Sequence, residues 1–301
     1  MSPRHLLLGI LVAVIWGFNF LAIRFGIDDM PPLLFVAIRF LFVAIPAVFL
    51  LKPPAIGWRN IVLIGSFMSL GQFALLYVSM ELGMPAGLAS LLLQTQVVLT
   101  VVVAAVLLRE RPTRVQLVGI LVGMAGLTTV VAAHAQSAPW LPVVVILLAA
   151  LSWAIGNVLS RRAKAASGLS LVVWSGAVVP IPAFALSLLI ETPPVVFDAL
   201  THITLDAVLS TAYTVVFASF VGYGIWNTLL ARYPAGSVAP LTLLVPPIGI
   251  LSAWLVLGEV PTVLELVGGA VMLTGLAIAV IRRRSASVVA APVHLRDEVL
   301  E

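Results

Sequence analysis

The chain contains no cysteine, few histidines and few charged residues. Its 301 residues include four His, and only 9% are Asp, Glu, Lys or Arg. The lack of cysteine excludes a disulfide framework, a thiolate nucleophile and a cysteine metal site, and no metal or other cofactor is expected. Soluble globular domains carry about a quarter charged residues, so this chain has too little polar surface to face water. Lipid is therefore predicted to surround most of the molecule.

Long hydrophobic runs are what the sequence has instead, since 62% of its residues are hydrophobic. A helix needs about 20 apolar residues to cross the hydrocarbon core of a bilayer. Ten such stretches predict an all-α polytopic membrane protein. They cover residues 5–24, 32–51, 58–80, 84–107, 113–133, 139–160, 168–190, 204–231, 234–257 and 261–281. We expect the first stretch to be an uncleaved transmembrane helix. The longest connection between spans is 191–203.

The basic residues lie in short clusters between alternate spans. With the N-terminus in the cytoplasm, all of the 16 Lys and Arg residues except Arg24 and Arg39 fall on the cytoplasmic side. Cytoplasmic loops of membrane proteins carry such an excess, so both termini are predicted to be cytoplasmic. The net charge of +4 is accordingly interpreted as a topology signal and not as a nucleic-acid interface. The expected location is the bacterial inner (plasma) membrane, with multiple passes.

The second half of the sequence repeats the first. Residues 85–131 align with 234–280 at a constant offset of 149, with 16 of 47 positions identical, among them a Glu-x-Pro junction in each half (Glu110–Pro112 and Glu259–Pro261). Each half has five spans, and an odd number forces the second copy to enter the membrane from the opposite side. Two inverted five-helix repeats are predicted, at 1–134 and 135–284, followed by a cytoplasmic tail, 285–301. Secondary transporters use this architecture, whereas duplication for packing alone is the alternative.

Several segments resemble the EamA family of the drug/metabolite transporter superfamily. They are the Arg39–Phe40 pair, the two Glu-x-Pro junctions, Trp16–Phe20 (WGFNF), Met84–Gln96 (MPAGLASLLLQTQ), Gly222–Tyr233 (GYGIWNTLLARY) and Pro240–Pro247 (PLTLLVPP). The resemblance covers roughly residues 5–281 and is greatest to exporters of O-acetylserine and cysteine. It implies a secondary transporter that has no ATP site and is not an enzyme.

The resemblance further implies export of small amino acids or derivatives such as cysteine and O-acetylserine. A carrier of the same fold for nucleobases, sugars or drugs is the alternative, because members with similar repeats export different metabolites. An intramembrane enzyme would need clustered carboxylates, histidines or an activated nucleophile, which the spans do not offer. A scaffold without transport would need no polar stripe facing the interior, and several spans have one.

Polar and aromatic side chains within the spans are the candidates for substrate contact. Polar groups are costly in hydrocarbon, so those in span centres are expected to face protein or a water-filled cavity. The candidates are Trp16, Asn19, Arg39, Gln72, Tyr77, Gln94, Gln96, Trp153, Asn157, Trp174, Tyr223, Trp226 and Asn227. A cavity of aromatic and amide groups suits a small zwitterion. Helix packing or anchoring at the membrane interface is the alternative role for each of them.

Arg39 and a pair of prolines receive specific predictions. Arg39 is the only basic residue well inside a span, and its planar fork could bind a substrate carboxylate in a bidentate way. The alternative is a structural role, either an ion pair with Glu265 or hydrogen bonds to broken backbone. Pro246 and Pro247 lie mid-span and free backbone carbonyls, which predicts a hinge or a discontinuous helix. The expected partners are a small-molecule substrate and the lipid bilayer, and the expected state is a monomer.

Overall fold

The computed structural model describes residues 1–134, 139–164, 167–233 and 238–280. Two predictions lie outside these residues, namely the start of the ninth span at Pro234 and the tail, 285–301. The described residues form helices joined by short connections, with no strand among them. The helices are α1 (Pro3–Asp29), α2 (Pro32–Leu50), α3 (Trp58–Glu81), α4 (Ala86–Leu107), α5 (Arg114–His134), α6 (Leu141–Ala163), α7 (Gly168–Ile190), α8 (Pro193–Thr201), α9 (205–232), α10 (Pro240–Leu257) and α11 (Val263–Val280).

Ten of these helices form the membrane-spanning bundle. Within the described ranges, nine helices are long and apolar enough to cross a bilayer, and α11 contains the further apolar helix Val263–Ala279. The predicted all-α fold of two inverted five-helix repeats is confirmed, with α1–α5 in the first repeat and α6, α7, α9, α10 and α11 in the second. The connection 191–203 contains the short helix α8. Pro193 and Pro194 suit its start, because first-turn N–H groups have no helical partner.

The bundle has two faces at which the connections lie. At one face, the Nδ1 atom of His5 in α1 lies 2.8 Å from the hydroxyl oxygen of Tyr233, just after α9. At the other, the Thr204 hydroxyl before α9 donates a hydrogen bond of 2.6 Å to the Asp29 carboxylate at the end of α1. Helices α1 and α9 therefore run antiparallel. We call the face that holds His5 the near face and the face that holds Asp29 the far face.

Helices α5 and α11 form the most extensive helix–helix contact between the repeats. A Cβ atom on Gly119 would lie 2.5 Å from the backbone of α11, and one on Gly126 would overlap the backbone of Met272. A Cβ on Gly275 would overlap the backbone of Gly123. Small residues allow two helix backbones to touch in a membrane, where apolar burial alone does not drive association. We call this contact, centred on Gly119, Gly126 and Gly275, the glycine seam.

Both helices of the glycine seam begin with the same capping box. In α5, Thr113 N–H donates to Gln116 Oε1 at 2.9 Å and Gln116 N–H donates to Thr113 Oγ1 at 3.2 Å. In α11, Thr262 and Glu265 make the same two bonds at 2.7 and 3.2 Å. This arrangement satisfies two N–H groups that a helix start leaves without partners. The two boxes are separated by the sequence offset of 149, so the repeat is expressed in the local structure.

Each repeat also interrupts two helices at matching positions. A π-helical turn covers Gly65–Gly71 in α3 and another covers Tyr213–Val221 in α9. A 3₁₀ turn covers Leu93–Thr95 in α4 and another, Ala239–Leu244, opens α10. Adding the offset of 149 to 65–71 and to 93–95 places both within the corresponding turns of the second repeat. π-helical turns are rare in proteins, but those that occur are often found at functional sites. These positions therefore direct attention to the bundle interior.

Candidate functional site

A cavity lies between α2 and α3 of the first repeat and α7 and α9 of the second. Its lining consists of Arg39, Phe40, Val43, Met68, Ser69, Phe73, Val172, Ser175, Ser219 and Tyr223. Both π-helical turns contribute to this lining. The volume within which the centre of a water-sized sphere can move is about 20 Å³. This is room for about one water molecule. A larger solute therefore enters only after the four helices separate.

Arg39 lies in this cavity and connects the two repeats. Its side chain is buried, with the residue 2% exposed. One terminal nitrogen donates to the Tyr77 hydroxyl at 2.8 Å and the other donates to the Ser219 hydroxyl at 3.4 Å. The guanidinium carbon lies 4.3 Å from the ring centroid of Phe73 and 5.6 Å from that of Phe40. Aromatic rings attract a cation through their negative faces, so the two rings stabilise the guanidinium from the side of the first repeat.

The charge of Arg39 has no carboxylate partner in the described part of the chain. The ion pairs found there join other groups. The Nε atom of Arg39 is buried and makes no hydrogen bond. A buried charge without a counter-charge costs several kcal/mol, even after the protein relaxes around it. The site is therefore electrostatically incomplete, and an anionic group in the adjacent cavity would complete it.

The suggested ion pair between Arg39 and Glu265 was wrong. Glu265 lies in the first turn of α11, where it caps the helix, and its Oε1 atom is 3.8 Å from Nδ1 of His134. The physical reason is the packing of α11 against α5, which keeps Glu265 in the glycine seam. Arg39 belongs to α2, which packs against α3, α7 and α9, and its guanidinium faces α3 and α9.

Aromatic side chains of α1 and α9 extend the site away from Arg39. The Trp16 indole N–H donates to the Ala218 carbonyl at 3.0 Å, and its ring centroid lies 5.3 Å from Tyr223 and 5.2 Å from Trp226. Ala218 belongs to the π-helical turn of α9, where side chains can satisfy carbonyls that the helix does not use. One turn further along α1, Asn19 is 7% exposed and its Oδ1 atom is buried without a hydrogen-bond partner. Trp16, Tyr223 and Trp226 therefore form one aromatic cluster, and Asn19 lies on the same face of α1 as Trp16.

Gln94 and Gln96 contact different neighbours, because residues two positions apart in a helix lie on different faces. The Gln94 side-chain amide donates to the Thr242 carbonyl at 2.8 Å, which joins the 3₁₀ turns of the two repeats. The Gln96 side-chain oxygen accepts from the Asn157 amide at 3.1 Å, which joins α4 to α6. Neither glutamine nor Asn157 belongs to the lining of the cavity beside Arg39.

Two further candidates lie toward the near face. The Trp174 indole N–H donates to the Leu51 carbonyl at 2.8 Å, and its ring packs edge-on against Trp58. Asn227 donates to the carbonyl of Tyr223, one turn earlier in α9, at 2.8 Å. Trp174 thus connects α7 to the end of α2, whereas the Asn227 hydrogen bond stays within α9. The structure places them outside the cavity lining, although Trp174 shares its helix with two lining residues.

Three candidates lie inside the bundle behind or beside the cavity. Tyr77 is completely buried and contacts Arg39 from the side of α3. Gln72 directly follows the π-helical turn of α3 and is 2% exposed. Trp153 packs against the hydrophobic core from α6. Among these three, Tyr77 has a defined polar connection to the cavity, because its hydroxyl accepts the hydrogen bond that orients Arg39.

Pro246 and Pro247 mark an interruption of α10. The 3₁₀ turn Ala239–Leu244 ends directly before them, and regular α-helix begins at Val245. Proline has no N–H and fits the first turn of a helix, which explains why the regular helix starts there. The discontinuity is thus present in the structure. Motion about it, as a hinge, stays a prediction.

The sequence did not reveal Phe73, Val172 and Ser175 as parts of the site. Phe73 carried a usable signal, because it precedes Tyr77 by four residues and so shares its helix face. Ser175 carried none. It reaches the cavity because α7 packs against the π-helical turn of α3 so closely that a Cβ atom on Gly65 would overlap the Ser175 carbonyl. That approach depends on the tertiary packing of two helices from different repeats.

The chemical groups of the cavity define what it can bind. In the described ranges, no three His, Cys, Asp or Glu side chains come together in a way that could hold a metal ion. The cavity offers a guanidinium, serine and tyrosine hydroxyls, and aromatic faces. A guanidinium pairs best with a carboxylate or phosphate, and hydroxyls can accept hydrogen bonds from an ammonium group. This donor set fits a small organic anion or zwitterion.

Comparison with known families agrees with this architecture. The sequence pattern of the EamA-like transporter family matches residues 4–132 and, separately, residues 140–281. The chain belongs to the EamA-like transporter family. The two matches cover the two five-helix halves, so each half is an EamA unit. The recurrence of π-helical turns, 3₁₀ turns and capping boxes at an offset of 149 is the structural form of this EamA duplication.

Individual relatives of this EamA-like transporter point in the same direction. The "Probable amino-acid metabolite efflux pump" of Escherichia coli (strain K12) is 39% identical over 284 residues, which are 92% of this chain and 95% of that protein. The "Probable terminal-alkyne amino-acid exporter" of Streptantibioticus cattleyicolor is 30% identical over 286 residues, 92% of each chain. A crystal structure with 22% identity superposes with a TM-score of 0.61 over 93% of this chain and 98% of that one, which shows the fold alone.

Proposed function

We propose that the protein exports small amino acids or their derivatives, such as cysteine and O-acetylserine, across the bacterial inner membrane without ATP. Arg39 carries the proposal. Its guanidinium is buried beside a cavity between the two repeats and has no carboxylate partner in the described residues. A substrate carboxylate would supply the missing charge through two parallel hydrogen bonds. The amino-acid exporters among the relatives support this assignment.

The substrate's charge distinguishes this proposal from a carrier for sugars or nucleobases. A neutral solute would leave the Arg39 charge uncompensated in a closed cavity, which is costly. An α-amino acid provides a carboxylate for Arg39 and an ammonium group for hydroxyl oxygens such as that of Ser219. Transport without a catalytic step is proposed, in keeping with the EamA-like family.

The candidate residues take different roles in the proposed site. Arg39 binds the carboxylate, while Tyr77 and Phe73 hold the guanidinium in place from the first repeat. Ser219 and Ser175 offer hydroxyls from the second repeat. The remaining candidates are proposed to contact substrate along the path, in states in which the helices have separated. They are Trp16, Asn19, Gln72, Gln94, Gln96, Trp153, Asn157, Trp174, Tyr223, Trp226 and Asn227.

The near face is proposed to be cytoplasmic. Arg161 pairs with Glu110 at this face, and Arg232 lies near His5. Basic residues concentrate on the cytoplasmic side of membrane proteins. The repeats are proposed to span 1–134 and 135–284, with a cytoplasmic tail, 285–301, and the working unit is proposed to be a monomer.

Transport can be tested with purified protein in liposomes and a panel of radiolabelled amino acids. Cysteine and O-acetylserine are expected to move, and cells that overproduce the protein are expected to tolerate excess cysteine and release more of it. Arg39→Gln is the matched control, because it removes the charge and keeps a planar amide. Flux of sugars or nucleobases but not of amino acids, or sensitisation of the overproducing cells, would contradict the proposal.

Orientation has a direct test, because the chain has no native cysteine. Ser2→Cys is at the near face and Thr192→Cys is at the far face, before α8. An impermeant maleimide added to intact cells should label Thr192→Cys and leave Ser2→Cys unlabelled. Labelling of Ser2→Cys would reverse the orientation without affecting the fold.

A further inference from the structure

Glu259 connects the two repeats at the far face. It follows α10, and its carboxylate oxygens accept hydrogen bonds of 3.0 Å from the backbone N–H groups of Ala86 and of Gly87. These N–H groups are in the first turn of α4, where they have no partner within the helix. The positive end of the helix dipole also favours a carboxylate there. The contact therefore consists of two charge-assisted hydrogen bonds between the second repeat and the first.

The turn that aims this carboxylate occurs in both repeats. Gly258 adopts the left-handed conformation, with φ of 69°, directly before Glu259. Its counterpart at an offset of 149 is Arg109, which adopts the same conformation, with φ of 54°, directly before Glu110. A side chain at a left-handed position costs roughly 1–2 kcal/mol relative to glycine. Both repeats therefore build the turn that presents the glutamate of the Glu-x-Pro junction, even where the residue is not glycine.

The glutamate of the first repeat is engaged differently at the near face. The Glu110 Oε2 atom lies 2.9 Å from a terminal nitrogen of Arg161, and both side chains are about half exposed. An exposed ion pair of this kind contributes about 0–1 kcal/mol and is easily exchanged. By sequence, the counterparts of the amides that Glu259 caps are those of Ala235 and Gly236, which lie outside the described residues.

We propose that Glu259 is the latch that holds the far face closed and that releases α4 when this face opens during transport. The proposal rests on the transport function proposed above. Inverted repeats move against each other around a central site, so a contact between the repeats at one face has to break when that face opens. A carboxylate on a helix start suits such a contact, because its release leaves backbone N–H groups and no charged side-chain partner behind.

A second glutamate at the far face provides a matched control. Glu191, at the end of α7, accepts hydrogen bonds from the N–H groups of Leu33 at 2.7 Å and Leu34 at 3.3 Å, so it caps α2 as Glu259 caps α4. The Glu191 cap is on α2 and not at the gap between α4 and α10. It is therefore not expected to control access to that gap.

The test measures access to the gap between α4 and α10. Ser90 is 1% exposed, one turn past the capped amides, and its hydroxyl lies 3.5 Å from the Pro246 carbonyl. Ser90→Cys would be the only cysteine, and its reaction with a polar maleimide would be followed with the full chain in lipid nanodiscs. Both faces are in solution there, so the rate depends on neither membrane orientation nor substrate.

Glu259→Gln should speed labelling of Ser90→Cys about tenfold, the equivalent of losing one charge-assisted hydrogen bond. Glu191→Gln should leave the rate within about twofold, because it weakens the same kind of carboxylate cap on a different helix, α2. Glu110→Gln should also leave the rate within about twofold, because it removes only a half-exposed ion pair at the near face. If Glu259→Gln does not fold, Glu259→Asp replaces it, since the shorter side chain cannot reach both amides.

Three results would overturn the latch. One is an unchanged rate in a folded Glu259 variant, and another is an equal increase in Glu191→Gln, which would mean general loosening. The third is an equal increase in Glu110→Gln, which would mean that losing any glutamate contact loosens the bundle. Because labelling requires no substrate, the latch can fail while amino-acid flux persists, and the flux assay can fail while the latch is supported.

Discussion

The glycine seam and the Arg39 cavity both join the first repeat to the second, yet they are built in opposite ways. In the seam, glycines bring the backbones of α5 and α11 into direct contact. Around the cavity, α3 and α9 carry π-helical turns and serine hydroxyls, and α2 carries a buried guanidinium whose bonding is incomplete. Close backbone packing resists rearrangement, because any separation loses many contacts together. The comparison indicates that the seam fixes the repeats to each other while the cavity retains the capacity to open.

The largest expected effect is at the cavity. Arg39→Gln should reduce amino-acid flux by roughly 100-fold, since it removes two charge-assisted hydrogen bonds to the carboxylate. Arg39→Lys keeps the charge but not the planar fork, so flux should fall by about tenfold or more. Initial rates in proteoliposomes measure both. The thermal unfolding midpoint should stay close to that of the parent protein in Arg39→Lys, and normal flux in this variant would discard the carboxylate clamp.

The next effect is at the seam and concerns stability. Gly126→Ala adds a Cβ atom that would overlap the backbone of Met272, so the helices must separate. We expect a loss of about 1–3 kcal/mol in unfolding free energy or failure to express. Gly123→Ala is the control, because its Cβ would lie 3.7 Å from the nearest atom, an ordinary contact. Thermal unfolding in detergent compares the two, and equal midpoints would show that the seam is not held by close backbone contact.

A smaller effect on flux is expected behind the cavity. Tyr77→Phe removes the hydroxyl that accepts from Arg39 at 2.8 Å, which leaves a second guanidinium donor without a protein partner. Flux should fall by roughly fivefold to tenfold, the equivalent of about one hydrogen bond to a charged group. Tyr213→Phe is the comparison variant, since that hydroxyl donates to the Ile15 carbonyl at 3.0 Å and not to Arg39. Similar flux in the two variants would argue against a positioning role for Tyr77.

The smallest effect separates backbone strain from packing. Neither Gly258, before the seam helix α11, nor Gly224, in α9 beside the cavity, would place a Cβ atom within 4 Å of another group. Gly258 is left-handed, so Gly258→Ala should cost about 1 kcal/mol of stability. Gly224 is helical, so Gly224→Ala should gain roughly 0.5–1 kcal/mol. Denaturation midpoints of the two variants should move in opposite directions, and a shift of the same sign would remove the conformational explanation.

The cavity also shows how far reasoning from the sequence extends. Trp16, Tyr223 and Trp226 were candidates from helical spacing, and the structure brings them together. Spacing succeeds within a helix because residues three or four apart share a face. It could not find the partner of Arg39, for which Glu265 was considered and Tyr77 and Ser219 were observed. A partner on another helix depends on which helices pack together, and that information is spread over the whole chain.

The sequence by itself determined the number of spans, their length and the inverted duplication. A bilayer requires about 20 apolar residues per helix, and five spans in each half leave no choice but opposite insertion. Only the tertiary structure decided which polar groups meet. The approach of α7 to α3 at Gly65 and the cap of Glu259 on α4 are contacts between the repeats. Hydrophobic length is a property of each segment alone, whereas the closing of a cavity around Arg39 is a property of four segments at once.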